Sequence, residues 1–313
     1  MFRFTLRRLL TTVFTVTVAM ALLFVILRLI PGDAARVMLG PRATEGMIAS
    51  FRERMMLDEP FLIQLFAYLG NILRGNMGQD VLNQLPVSTL VFGALPHTVA
   101  LALLGIGTAA LVGIPLGTYS AGFRNSVIDR ITAFISVAFI TTPPFVAGLL
   151  LLLIFAVQLG WFPVSGAGEE GNLASQAWHL VLPVMALAIP WIGYISRLVR
   201  SSVLEELGKD HVRTAHSKGL HSMVVLYRHT LRGALIPVIA VLGVGFGNLL
   251  GGTVLTEIIF NRPGIGFLIL NAIESRNYPV VQGGLIVAVF LYAIANLLAD
   301  LSYGFIDPRI RTE

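Results

Sequence analysis

About six stretches of this chain are long and almost free of charge, and they decide what it can fold into. They run roughly Leu9–Ile30, His97–Ala121, Ile131–Val157, His179–Leu198, Ala234–Leu255 and Gly283–Tyr303. A helix needs about 20 mostly apolar residues to cross the hydrocarbon core of a bilayer. Inside lipid the backbone finds no water to bond, so runs of this length satisfy themselves as helices. The short alternating segments of a membrane β-barrel are missing. Composition agrees: 56% of the 313 residues are hydrophobic and 12% charged, where a soluble domain carries about 25% charged residues. Too little polar surface remains to cover a globule in water. The expectation is an all-α fold, a polytopic membrane helical bundle with about six transmembrane helices.

The charges lie between the apolar runs. A net charge of +5 would point to nucleic acid in a soluble chain; here it sets orientation, and no nucleic-acid partner is expected. Arg3, Arg7 and Arg8 precede the first run, and Arg124 and Arg130 separate the second from the third. Arg197, Arg200, Lys209, Arg213, Lys218, Arg228 and Arg232 separate the fourth from the fifth, and Arg309 and Arg311 follow the sixth. Between Gln158 and Trp178 there are only Glu169 and Glu170. The positive-inside bias puts both termini and the 197–232 segment in the cytoplasm. The long loop from Pro31 to Leu95 escapes that rule. The run Leu9–Leu27 is longer than a signal-peptide core and no small-x-small site closes it, so it reads as a retained helix. With no cysteine in the chain, disulfides, thiol catalysis and Cys-based metal sites are excluded.

Local signals refine this outline. Asp58 and Pro60 form a helix-start pattern, and Phe61, Leu62, Leu65, Phe66, Leu69 and Leu73 follow at helical spacing before Gly75. This predicts an amphipathic helix at the outer interface, packed on the bundle or turned to an external partner. Pro143 and Pro144 break the third run, and Pro183 and Pro190 bend the fourth. Gly243, Gly245, Gly247, Gly251 and Gly252 crowd the fifth. With Asn248, the positions Gly243, Gly247 and Gly251 are candidates for lining a pathway; the alternatives are ordinary helix packing and a sliding helix contact.

No catalytic set is found. The chain has no GxxxxGK[ST] loop, no HExxH and no Gly-x-Ser-x-Gly. His211, His216 and His221 recur every five residues, a net helical rotation of about 140° that scatters them around the axis, so no metal site is expected. Proton-coupled carriers place carboxylates mid-membrane. Glu257 and Asp300 lie near span ends instead, where capping or pairing with an arginine explains them. The energy source is expected on another chain.

The 197–232 segment reads as three short helical pieces. Ser201 or Ser202 caps a first, interrupted by Gly208; Asp210–Lys218 forms a second, ended by Gly219 as a C′ glycine. His221–Leu231 returns to the membrane. The central piece then runs Asp210-His211-Val212-Arg213-Thr214-Ala215-His216-Ser217-Lys218-Gly219-Leu220, followed by Arg228-His229-Thr230-Leu231-Arg232-Gly233-Ala234-Leu235-Ile236-Pro237. This resembles the cytoplasmic-loop motif of permease subunits of binding-protein-dependent ABC importers, in the form carried by their dipeptide, oligopeptide and nickel branch.

The resemblance extends along nearly the whole chain. Arg7-Arg8 with Ile30-Pro31-Gly32-Asp33 is similar to the opening of the first of that branch's two permease types. Leu57-Asp58-Glu59-Pro60, Gly75-Asn76-Met77-Gly78, the run Leu159 to Gly166 and Thr256 to Phe260 resemble its later motifs. So do Pro263-Gly264-Ile265-Gly266, the run Tyr278 to Gly283, and Asp307 to Arg311. Asn277 departs, standing where that family often has Asp.

The resemblance implies a type I ABC importer permease fold. It implies a first helix and long periplasmic segment over residues 1–95, a five-helix transmembrane domain over 96–306 with a coupling loop at 201–232, and a tail at 307–313. It implies a non-enzymatic subunit of a bacterial inner-membrane importer of a small solute, by default a di- or oligopeptide. The implied partners are a second homologous permease, two ABC ATPases that bind ATP and magnesium, and a periplasmic or lipid-anchored solute-binding protein. Asp210, Arg213, Thr214, Ala215, Lys218, Gly219 and Leu220 are the implied coupling contacts. From the residues alone, an ion- or proton-coupled secondary transporter and a membrane scaffold remain alternatives. Uptake by cells treated with an uncoupler, with ATP held constant, separates them: an ATP-driven importer keeps its flux, a carrier loses it, and a scaffold shows none.

Overall fold

The computed structural model describes residues 2–29, 43–54 and 59–306. Ile30 to Asp33, Leu57, Asp58 and Asp307 to Arg311 lie outside the described residues. Among those described, the chain is helical, with a single isolated bridge between Gln79 and Pro86. The helices are α1 (Phe2–Leu29), α2 (Glu45–Arg54), α3 (Phe61–Leu73), α4 (Val87–Gly122), α5 (Val127–Thr141), α6 (Pro144–Leu151), α7 (Leu173–Leu207), α8 (Asp210–Ser217), α9 (Ser222–Val224), α10 (Leu231–Ile259), α11 (Ile265–Glu274) and α12 (Tyr278–Ile306). Wider π-helical turns, Leu152–Gln158 and Val225–Thr230, extend α6 and join α9 to α10.

Five segments are long and apolar enough to cross a membrane: Thr5–Ile26, Val87–Gly122, Leu173–Leu207, Ser222–Ile259 and Tyr278–Leu301. The sixth is a broken pair, Val127–Thr141 and Pro144–Gln158, bent by 102°. Its bend falls at the expected prolines: Pro143 is extended at φ −60°, ψ 142°, and Pro144 opens the next helix. Pro183 and Pro190 leave α7 a continuous helix. The second span starts at Val87 rather than His97, because Val87, Val91 and Ala94 continue the buried face past Pro96.

Helix α4 lies parallel to α7 at near-backbone distance. A Cβ on Gly105 would stand 3.2 Å from Leu187 Cβ, on Gly113 3.0 Å from Ile195 Cβ, and on Gly117 2.8 Å from Val199 Cβ. Lipid supplies no hydrophobic drive between helices, so such close packing holds them together. Because α4 and α7 point the same way, the chain must cross back between them, and the bent α5–α6 pair does so. It meets α7 where Gly193 leaves room for Phe139, whose Cβ a substituent would approach at 2.9 Å. Helix α10 runs antiparallel over both, with Gly245 against Trp191, and α12 packs on α10.

Polar ties close the ends. Arg200 grips Asp129 with Nε at 2.6 Å and Nη2 at 2.8 Å, and Ser120 and the Asn125 amide also donate to that buried carboxylate. Arg8 pairs with Asp300 at 2.7 Å, joining α1 to α12. The expected amphipathic helix is α3; Arg74 caps its end and Gly75 follows at φ +77°. Phe61 and Tyr68 lean on Phe24 of α1, with ring centroids 5.6 and 5.2 Å away, while Leu62 and Phe66 stay exposed.

The glycine contacts predict a contrast. Gly117→Ala drives a methyl into the Ser196 carbonyl and destabilises by about 1–3 kcal/mol. Gly107→Ala, with nothing within 4 Å, is neutral or stabilising because alanine favours the helix. Thermal unfolding in detergent reads both.

Candidate functional site

The segment after α7 forms a short helical excursion seated on the ends of its flanking helices. The expected cap at Ser201 or Ser202 is not made; α7 runs unbroken to Leu207, because buried Val199 and Val203 carry its packed stripe past both serines. Gly208 caps α7, Lys209 is extended, and α8 begins at Asp210. It ends as expected: Lys218 N–H donates to Thr214 O, Gly219 N–H to His216 O, and Gly219 takes φ +77°.

Only Val212 and Ala215 of α8 are buried, against Leu207 and Val225. Asp210, Arg213, Thr214, Lys218, Gly219 and Leu220 are exposed, with the Asp210 and Arg213 side chains 98% and 78% accessible. Six of the seven expected contacts therefore share an open surface. Ala215 differs: it is 6% exposed and seats α8 on its own chain. Met223, Val224 and Tyr227, half-exposed just beyond Leu220, extend the open surface with an apolar strip. The sequence reading missed them, although the 3- and 4-residue spacings to Tyr227 are a helical-face signal.

The glycine-rich fifth span divides in the same way. Gly243 faces Ala299, whose Cβ a substituent would approach at 2.8 Å, and Gly247 faces Asn296. These two positions pack against α12. Asn248 and Gly251 lie on the open side of α10 with Val244, Gly252 and Leu255.

At the far end of α10, Glu257 is fully buried and caps α11. Its carboxylate accepts from Thr98 Oγ1 at 2.6 Å and from the Gly266 and Phe267 amides at 2.8 and 3.2 Å. A Cβ on Gly266 would come within 2.9 Å of Glu257 Oε2, and one on Gly264 would overlap the carboxylate, so both glycines are the space it occupies. Buried Arg262 reaches toward the carbonyls of Gly166 and His179 at 3.4 and 3.3 Å. Burial pushes its guanidinium down from the usual arginine range, and the Glu257 charge opposes that shift. Asn277 donates to buried Asp80, pinning the turn before α12 to the segment before α4.

Residues 113–312 match the model of the binding-protein-dependent transport system inner membrane component, and residues 1–102 match its N-terminal companion. The chain belongs to this family. It is 40% identical to a probable peptide ABC transporter permease, y4tP, of Sinorhizobium fredii, over 98% of both chains. It is 36% identical to the dipeptide transport system permease DppB of Alkalihalophilus pseudofirmus, over 99% of this chain and all of that one. It is 35% identical to the glutathione transport system permease GsiC of Salmonella choleraesuis, over 99% of each. Among solved structures, the MetNI methionine ABC transporter, inward facing, aligns with TM-score 0.58 and 16% identity over 70% of this chain and 96% of that chain. An amino acid ABC transporter aligns with TM-score 0.53 and 17% identity. These two share the fold.

The chain is thus the permease subunit of an ATP-driven importer, not an enzyme and not a secondary carrier. As a binding-protein-dependent permease it works with ATPase and solute-binding partners. That accounts for its carboxylates: Glu257 closes a helix end and Asp300 pairs with Arg8. Asp300→Asn leaves uptake within about twofold, since a half-exposed ion pair contributes about 0–1 kcal/mol. A proton-coupled carrier relying on Asp300 would lose uptake, and transport assays in whole cells distinguish the two.

Proposed function

We propose that this permease pairs with a second, homologous permease over two ATPase subunits, with a periplasmic or lipid-anchored binding protein on the other side. In this reading α8 and both termini face the cytoplasm, as the arginine and lysine distribution favours. The exposed surface of α8 docks on an ATPase through Asp210, Arg213, Thr214, Lys218, Gly219 and Leu220. The observation that carries it is that α8 buries just Val212 and Ala215 and leaves the rest of its surface open. An eight-residue helix seated on the ends of two spanning helices transmits displacement from a docked partner into the bundle. ATP binding draws two such helices together, and the paired permeases alternate between inward- and outward-facing states. The first helix with its following segment, residues 1–95, and the five-helix unit, 96–306, make up the subunit, with α4 running unbroken from one into the other.

The solute is a di- or oligopeptide, a reading supported by the names of the y4tP and DppB relatives. The open side of α10, Asn248 and Gly251 foremost, lines the route. Asn248 offers a donor and an acceptor suited to a peptide backbone, and the glycine leaves width.

Labelled dipeptide uptake with the complete importer tests the proposal. Gly219→Glu abolishes uptake and leaves ATP hydrolysis running uncoupled, while insertion survives, because the left-handed backbone after α8 resists a side chain. A wild-type uptake rate in that variant overturns the docking reading.

A further inference from the structure

One carboxylate sits where α7, α8 and α10 meet. Glu206 lies in the last turn of α7 and its side chain is 10% exposed. Its Oε2 accepts from Lys209, in the link to α8, and Oε1 lies 3.5 Å from His211 Nε2 in the first turn of α8. On its third side is Gly233, in the first turn of α10, where an added Cβ would stand 2.6 Å from Glu206 Cδ. Asp210 and Arg213 face each other across 3.7 Å on the exposed side.

We infer that Glu206 is a positioning residue for transport, the joint that fixes α8 to both spanning helices flanking it. The inference rests on the proposal that α8 docks an ATPase. The Val212–Ala215 seat is apolar and does not by itself set the angle of so short a helix. Hydrogen bonds are directional: Glu206 accepts one from Lys209 in the link, and its other oxygen lies 3.5 Å from the His211 ring in the first turn of α8. The glycine at 233 lets the carboxylate sit against α10 rather than swing to solvent. With the joint intact, a push on α8 moves α7 and α10 as one. With it broken, α8 pivots on its seat and the push is absorbed.

The test is the number of ATP molecules hydrolysed per solute moved, in the full importer reconstituted with its binding protein in proteoliposomes. Glu206→Ala is expected to raise that ratio roughly fivefold or more, the lower end of site-to-site coupling. Gly233→Ala, which displaces the carboxylate, should raise it likewise, and adding Glu206→Asp, one methylene shorter, should bring it back toward wild type. A purely structural role lowers the amount of complex and both fluxes together and leaves the ratio unchanged; that result overturns the inference. The same complexes carry Ser217→Cys, an exposed α8 position outside the proposed contact set and the sole cysteine in this chain, paired with a cysteine on the ATPase. A cross-link with an unchanged ratio in both variants removes Glu206 alone, whereas no cross-link in the otherwise wild-type complex overturns the docking proposal and this inference with it.

Discussion

The close approach of α4 to α7 organises the rest of the bundle. Apolar side chains gain nothing by leaving lipid for one another, so helix association in a membrane depends on packing at short range. Gly105, Gly113 and Gly117 bring one side of α4 against Leu187, Ile195 and Val199 of α7. Two helices held parallel need a return between them, which the proline-broken α5–α6 pair supplies. Their shared groove receives α10, with Leu249 and Leu250 packed near Leu101 and Leu187. The far end of α7 in turn carries α8, so the angle set by three glycines reaches the surface proposed to meet the ATPase.

Three buried carboxylates among the described residues lie where they are satisfied. Asp129 is held by Arg200, Ser120 and a backbone amide, Glu257 by Thr98 and the first amides of α11, and Asp80 by Asn277. Each lies at a helix end or turn rather than mid-span, as expected when an unpaired charge in hydrocarbon costs several kcal/mol. They act as joints between helices and give the bundle rigid corners. A subunit driven by ATP on its partners needs such corners to carry displacement, and needs no titrating relay of its own.

Much of this was legible residue by residue. The long apolar runs showed spans, the Pro143–Pro144 pair showed a break, and Gly219 showed a helix stop; each is a property of adjacent residues and is read locally. Facing was not legible. Ala215 sits in the motif among exposed residues, yet Val225, from the turns that return to the membrane, packs against it. Gly243 and Gly251 are the same residue type in the same helix, yet one meets Ala299 and the other meets nothing within 4 Å. A helix end can also move: the serines at 201 and 202 favour a cap, and the buried stripe through Val199 and Val203 overrides it.

The sequence by itself determined that the chain lies in lipid, that it carries about six spans and that the third breaks at Pro143–Pro144, and it marked the stretch proposed to meet a partner. Those follow from hydrophobic run length, proline chemistry and motif order, which depend on neighbours along the chain. Only the tertiary structure decided which glycines pack and which stay open, that Glu257 caps a helix beginning at Ile265, and that Glu206 and Gly233 share one corner. Those depend on groups far apart in the chain that come within a few ångströms only after the helices have packed.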